Sequence, residues 1–309
     1  MQKIILDVDT GVDDALAIIY GLESKKLDFL GITTVSGNVP VEMATINTHK
    51  ILQLIGRKDI NVYRGASRPL LREPHYEYHV HGSDGIGNAL DTIQVENLEE
   101  TDFAADFIIE QAKKYPGELT LVMVGPLTNL ALALRKEPRL AEWIKEVVVM
   151  GGLVSAAGMG NKLPNSEFNI YADAEAAKIV IHSGLELTLV SLDVTTQTFI
   201  TKEDIERLKG TKYYDFVLNS TEVVREYGLV QYGVSRASLH DPLTIGYLLD
   251  RSFLKTEKYF VEIETMSELN YGQTICDFKN HWQQEANVHV PLEVNAGAFV
   301  DHFIETLRG

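Results

Sequence analysis

The chain has 309 residues, 45% hydrophobic and 23% charged, which is a globular composition with enough length to bury a sizeable core. Its 44 acidic against 28 basic side chains give a formal net charge of −16, so bulk electrostatics disfavour a nucleic-acid backbone or an anionic membrane surface as partner. The single cysteine, Cys276, excludes an internal disulfide and a multi-cysteine zinc site.

Asp7 and Asp9 interrupt the first apolar run, so no secretory leader is expected. No stretch approaches the roughly 18 apolar residues that a membrane span needs, so a soluble, cytoplasmic protein is expected. Lys3–Val8 predicts a buried strand and Asp13–Glu23 a helix with two acids in its first turn. Leu27–Val35 predicts a second strand, and Pro40–Ile55 a helix bracketed by Pro40 and Gly56. Further strands are predicted at Leu119–Val124, Val147–Met150 and Leu187–Leu192. Helices are predicted at Asp102–Lys114, Leu127–Arg135, Ala174–His182, Lys202–Leu208 and Asp215–Tyr227. These repeated strand–helix units predict an α/β fold. It is an open, mostly parallel, Rossmann-like sheet flanked by helices, in one domain over residues 1–309, with extra late strands between Tyr259 and Val290. Two stretches break the rhythm, Arg68–Gly87 and Gly151–Asn169, and long aperiodic loops in compact domains are usually functional or disordered.

The densest chemistry is Asp7-Val8-Asp9-Thr10-Gly11-Val12-Asp13-Asp14, four carboxylates directly after an apolar strand. In extended chain Asp7 and Asp9 share a face, Gly11 permits a turn, and Asp13 and Asp14 open the next helix. In an open α/β sheet, ligands bind outside the carboxyl ends of the strands, where this turn lies. Like charges this close must be protonated, solvated or compensated by a cation. No Lys or Arg stands between Lys3 and Lys25, and oxygen-only donors point to Ca²⁺ or Mg²⁺. Helix capping would explain one or two of these acids, but four around a glycine exceed it. The ending of a Walker loop is missing, and an EF-hand frame begun at Asp7 meets Val12 and Ile18 where Gly and Glu are required. Near the far end, Ser238-Leu239-His240-Asp241-Pro242-Leu243 offers Asp241 as a helix cap before Pro242, and His240 as an acid–base group.

DVDTGVDDALAI resembles the signature of the inosine–uridine-preferring nucleoside hydrolases, whose usual form is D-x-D-P-G-x-D-D-A. The likeness continues in order through Ser36-Gly37-Asn38-Val39, Val62-Tyr63-Arg64-Gly65-Ala66, and His81-Gly82-Ser83-Asp84-Gly85-Ile86-Gly87. It then runs through Val124-Gly125-Pro126-Leu127-Thr128-Asn129, Met150-Gly151-Gly152, Asn161, Glu167-Phe168-Asn169 and His240-Asp241-Pro242-Leu243. The resemblance implies hydrolysis of the N-glycosidic bond of ribonucleosides, with one Ca²⁺ held by Asp9, Asp14, the main-chain carbonyl of Val124 and Asp241. It implies Asp9 as the general base for water, and His240 as the group that protonates the leaving base or orients one that does. Asp13, Asn161, Glu167 and Asn169 are implied to bind the sugar, with Met150 beneath it and Asn38 and His81 as further substrate contacts. Tyr227, Gln231 and Tyr232 are candidates for the nucleobase.

Thr10 replaces the usual Pro, for which a small effect is expected, while His240 resembles the branch with mixed or pyrimidine preference, not the purine-specific, tryptophan-stacking one, and neither Trp143 nor Trp282 lies in a motif. The expected partner is a small ribonucleoside, with no nucleic acid and no membrane, and the family suggests a homotetramer or homodimer. Two alternatives stand beside this one. They are a Mg²⁺-dependent phosphohydrolase with Asp7 as nucleophile, and a non-catalytic nucleoside- or ribose-binding protein.

Overall fold

A computed structural model describes residues 1–95, 101–155 and 157–309. Twelve strands occur among them: β1 Gln2–Val8, β2 Leu27–Thr34, β3 Val62–Arg64, β4 Leu119–Met123, β5 Ile144–Met150, β6 Leu187–Val190, β7 Phe199–Ile200, β8 Ala237–Ser238, β9 Leu254–Tyr259, β10 Val261–Ile263, β11 Thr274–Cys276 and β12 Val288–Val294. Eight form the central sheet in the order β3-β2-β1-β4-β5-β6-β12-β9, parallel throughout except for β9, which pairs antiparallel with β12 at the edge. The mostly parallel α/β architecture expected from the sequence is present, and the late strands both extend the sheet and add the small β10–β11 pair.

Alternation along the strands divides the core into two layers. Ile4, Leu6 and Val8 pack with Val122, Val148 and Val190 on one face, under the helices Val12–Glu23, His240–Leu249 and Ala296–Arg308. Ile5, Leu121, Val147 and Leu189 face the opposite way, toward Ala104–Lys114, Thr128–Lys136 and Ala174–Ile181. Strand order reverses between β1 and β4, since β2 and β3 lie to one side and β5 and β6 to the other. The crevice outside the carboxyl ends of β1 and β4 is therefore a topological switch point, the usual ligand position in such sheets.

Most element boundaries agree with the sequence to within two residues. The helix Tyr214–Tyr232 is longer, running past the predicted end at Tyr227 to Gly233, whose φ of 71° stops it. The helix Ala296–Arg308 and strand β3 add to the predicted elements. Tyr78–His81 forms one helical turn inside the stretch read as aperiodic. Among the described residues, no helix is long and apolar enough to cross a membrane.

Candidate active site

Asp7 ends β1 beneath the switch point and is wholly buried. Thr33 Oγ1 at 2.5 Å and Asn129 Nδ2 at 2.7 Å both donate to its Oδ2, and burial pushes its carboxyl up to about 7. Asn129 also donates to the Thr34 carbonyl and accepts the Ala66 N–H, so Asp7 anchors a network joining β1, β2, the loop after β3 and the helix after β4. Its two hydrogen bonds on Oδ2 hold Asp7 as the anchor of this network.

Asp9 leaves the strand and is likewise fully buried. Its Oδ2 accepts the Asn38 N–H at 2.6 Å. Close packing explains the neighbouring glycine: a Cβ on Gly37 would stand 2.1 Å from Asp9 Oδ2. Gly11 is needed for the same reason, not for its backbone angle. Its φ is −90°, and a Cβ there would meet His81 Nδ1 at 2.6 Å.

Asp13 and Asp14 lie in the first turn of Val12–Glu23. Asp14 accepts the N–H groups of Asp9 and Gly11 at 3.1 and 2.9 Å, and the Asn38 side chain at 3.1 Å. Asp241 arrives from the distant helix His240–Leu249. The sequence suggested Asp241 as a helix cap. Instead the helix starts two residues earlier, with Leu239 at the cap, and the Asp241 carboxylate is turned inward to the other acids.

Carboxylate oxygens of Asp13, Asp14 and Asp241 all lie within 4.8 Å of one another. Burial and mutual repulsion drive the whole group upward. Asp13 reaches about 8, Asp14 is raised, and Asp9 and Asp241 stand well above the usual carboxylate range. Oδ1 of Asp9 and of Asp13 are buried without a hydrogen-bond partner among the described residues. Unpartnered buried oxygens from an oxygen-only donor set fit a hard divalent cation; the acids that meet within that span are Asp13, Asp14 and Asp241, with Asp9 beside Asp14 through its main-chain N–H. The carbonyl of Val124, at the end of β4, is nearby and accepts Asn169 Nδ2 at 2.7 Å.

Above this floor opens a cavity of about 890 Å³ including its mouth. Asp13, Asn38, His81, Val124, Met150, Asn161, Glu167, Asn169, Tyr227, Tyr232, His240 and Asp241 all line it. One wall comes from Gly151–Asn169, of which residue 156 lies outside the described residues. Glu167 caps the turn Phe168–Ala172 by accepting from Asn169 and Ile170, and also accepts from Gly152 at 3.0 Å. Burial outweighs those bonds and pushes its carboxyl up to about 7. Asn161 Oδ1 accepts the Phe168 N–H, and Asn169 Nδ2 bridges to the Met150 carbonyl.

The opposite wall carries two histidines. His81 Nδ1 accepts the Val12 N–H at 3.1 Å, which places the ring proton on Nε2. Burial pushes His81 down to about 3, so Asp13 at 3.9 Å faces a neutral ring. His240 Nδ1 lies 2.7 Å from Thr195 Oγ1, and burial, then the Arg236 charge, push it down to about 4. Gln231 sits exposed in the last turn of its helix and does not line the cavity, whereas Tyr227, one turn earlier, does. Neither tryptophan lines the cavity. Asp84 fixes its own loop by accepting the Ile86 and Asn88 N–H groups. Glu77 and Thr195 were not singled out from the sequence, because each acquires its place through a partner remote in the chain, Lys162 and His240.

The family profile described as inosine-uridine preferring nucleoside hydrolase matches residues 4–301. The chain is 34% identical to the pyrimidine-specific ribonucleoside hydrolase RihB of Escherichia coli, covering all of this chain and 97% of that one. Among solved structures, it is similar to the plant nucleoside hydrolase PpNRh1 (TM-score 0.93, 32% identity, covering 100% of this chain and 99% of that one). It is also similar to the purine-preferring ribonucleoside hydrolase from Gardnerella vaginalis (TM-score 0.91, 32% identity, covering 100% and 98%).

Proposed function

The chain belongs to the inosine-uridine preferring nucleoside hydrolase family and is a ribonucleoside hydrolase, and on that premise we propose how its residues divide the reaction. The observation that carries the proposal is the meeting of buried carboxylates from two distant segments, with oxygens left unpartnered, at the floor of one cavity. Asp9, Asp14, Asp241 and the Val124 carbonyl would hold Ca²⁺, favoured by hard oxygen donors without a soft ligand. When bound, that ion supplies charge compensation and orientation of the sugar diol and water.

Asp13, Asn161, Glu167 and Asn169 bind the ribose over Met150, and Asn38 and His81 complete the pocket. Asp9 accepts a proton from the attacking water, whose oxygen bonds to C1′ as the C1′–N bond breaks and its electron pair goes to the base. Surrounding carboxylates favour the oxocarbenium-like charge that develops on the sugar. His240, neutral at pH 7, donates a hydrogen bond to the departing base from Nε2 when Thr195 donates to its Nδ1, and the base takes up a proton from solvent as Asp9 releases the one it accepted. Tyr227 and Tyr232 flank the base.

With no tryptophan in the cavity, and with a pyrimidine-specific relative, pyrimidine or mixed preference is the assignment. Nucleoside salvage in the cytoplasm by a homo-oligomer is the setting this chemistry suits. The test is release of reducing sugar from uridine, cytidine, inosine and adenosine, with and without a calcium-selective chelator, beside 2′-deoxyuridine. Ribose release that the chelator abolishes and the deoxynucleoside fails to support is expected. Equal use of deoxynucleosides, or indifference to the chelator, would overturn the metal–diol arrangement.

A further inference from the structure

Glu77 and Lys162 join the two irregular loops across the cavity. Lys162 Nζ donates to Glu77 Oε1 at 2.6 Å, over a sequence separation of 85 residues. Glu77 lines the cavity and its side chain is 8% exposed; that of Lys162 is 23% exposed. Two opposite charges this deep are worth little as raw stability, because their desolvation offsets their attraction, but without Lys162 the buried Glu77 keeps only His79 Nε2, 3.3 Å from its Oε2 and a cation only when protonated. What such a pair supplies is register.

Each partner is tied to residues that face the substrate. The Glu77 N–H donates to the Asn38 carbonyl at 2.9 Å, and the Glu77 carbonyl accepts the His81 N–H at 3.1 Å. Lys162 follows Asn161 directly and donates its N–H to the Ser166 carbonyl, next to Glu167. Its ammonium also lies 5.6 Å from the Phe168 ring centroid and 5.7 Å from that of Tyr171, which holds the charge against the wall.

We propose that Glu77 and Lys162 are a positioning pair that clasps the His81 loop to the Asn161–Glu167 loop and so sets how much of the protein is competent to bind ribonucleoside. This rests on the hydrolase reading above, but its structural half does not. The two loops share the cavity, so a substrate touching both finds them only when they are in register. If loss of the pair leaves a tenth of the molecules in register, the apparent KM rises about tenfold while bound substrate turns over nearly as before.

The experiment compares Glu77→Gln, Lys162→Met and the charge reversal Glu77→Lys with Lys162→Glu. Each single variant should raise KM for uridine or inosine about tenfold, with kcat changing far less, and the reversal should recover a substantial part. Hydrogen exchange should quicken in both loops, residues 75–82 and 160–167, whichever partner is replaced. A fall in kcat at unchanged KM would overturn the proposal, as would faster exchange confined to the substituted loop. If the wild-type protein releases no sugar from any ribonucleoside, the hydrolase reading fails, while the exchange experiment still decides whether the clasp exists.

Discussion

Asn38 binds both Asp9 and Asp14: its main-chain N–H donates to Asp9 Oδ2 at 2.6 Å and its side-chain amide to Asp14 Oδ2 at 3.1 Å. One residue thus fixes the strand end relative to the helix start. Asp9 Oδ1 stays without a hydrogen-bond partner among the described residues.

Asp9→Asn keeps the shape and the bond from Asn38 while removing the proton acceptor. Turnover should fall by about two to four orders of magnitude, the usual worth of a positioned general base. The far-ultraviolet circular dichroism should stay unchanged. Turnover near that of the wild type would take Asp9 out of the chemistry.

The histidines give a prediction about pH. Burial lowers His81 to about 3 and His240 to about 4, so both are neutral over the working range. A plot of log kcat/KM should therefore show no limb from imidazole ionisation between about pH 5.5 and 7.5. His240→Ala should reduce turnover of natural nucleosides strongly and that of 4-nitrophenyl riboside weakly, because nitrophenolate leaves without help. Equal losses on both substrates would deny His240 a role at the base.

Metal removal couples to stability through the acids. In unfolded chain an aspartate titrates near pH 4, whereas burial raises Asp7 to about 7 and Asp13 to about 8 in the metal-free fold. The folded protein therefore binds more protons than the unfolded one across that window. The stability these groups contribute is fully present below about pH 4 and is lost as pH rises through 7 and 8, at about 1.4 kcal/mol per pH unit for each proton. Urea midpoints of chelator-treated protein should fall from pH 5 to pH 8, and excess Ca²⁺ should flatten the decline. A midpoint indifferent to both pH and cation would contradict the clustered burial.

The four-acid turn was legible in the sequence because its charge density is anomalous where it stands: apolar strand before, helix after, no cation near. The sheet was legible because strands apolar on both faces leave long uninterrupted runs. Glu77 was not, since nothing beside it in the chain marks it, and its meaning comes from Lys162. Thr195 is the same case, found only through His240. Asp241 shows the converse error. Acid before proline is a local capping signal, but the acids that Asp241 meets lie outside the local chain, and the helix begins two residues early, with Leu239 at its cap.

Two glycine-to-alanine changes separate packing from backbone strain. Gly56 has a φ of 84° and open space around it, so Gly56→Ala should cost about 1 kcal/mol through conformation alone and spare activity. A Cβ on Gly37 would instead stand 2.1 Å from Asp9 Oδ2 and 2.7 Å from Pro126 Cδ, with no left-handed angle to strain. Gly37→Ala must therefore push Asp9 aside, costing about 1–3 kcal/mol as overpacking does. It should also weaken Ca²⁺ affinity, read by calorimetric titration of the metal-free protein. Comparable stability losses with Ca²⁺ binding impaired only in Gly37→Ala are the expected pattern. If Ca²⁺ affinity survives in Gly37→Ala, Asp9 does not hold the ion.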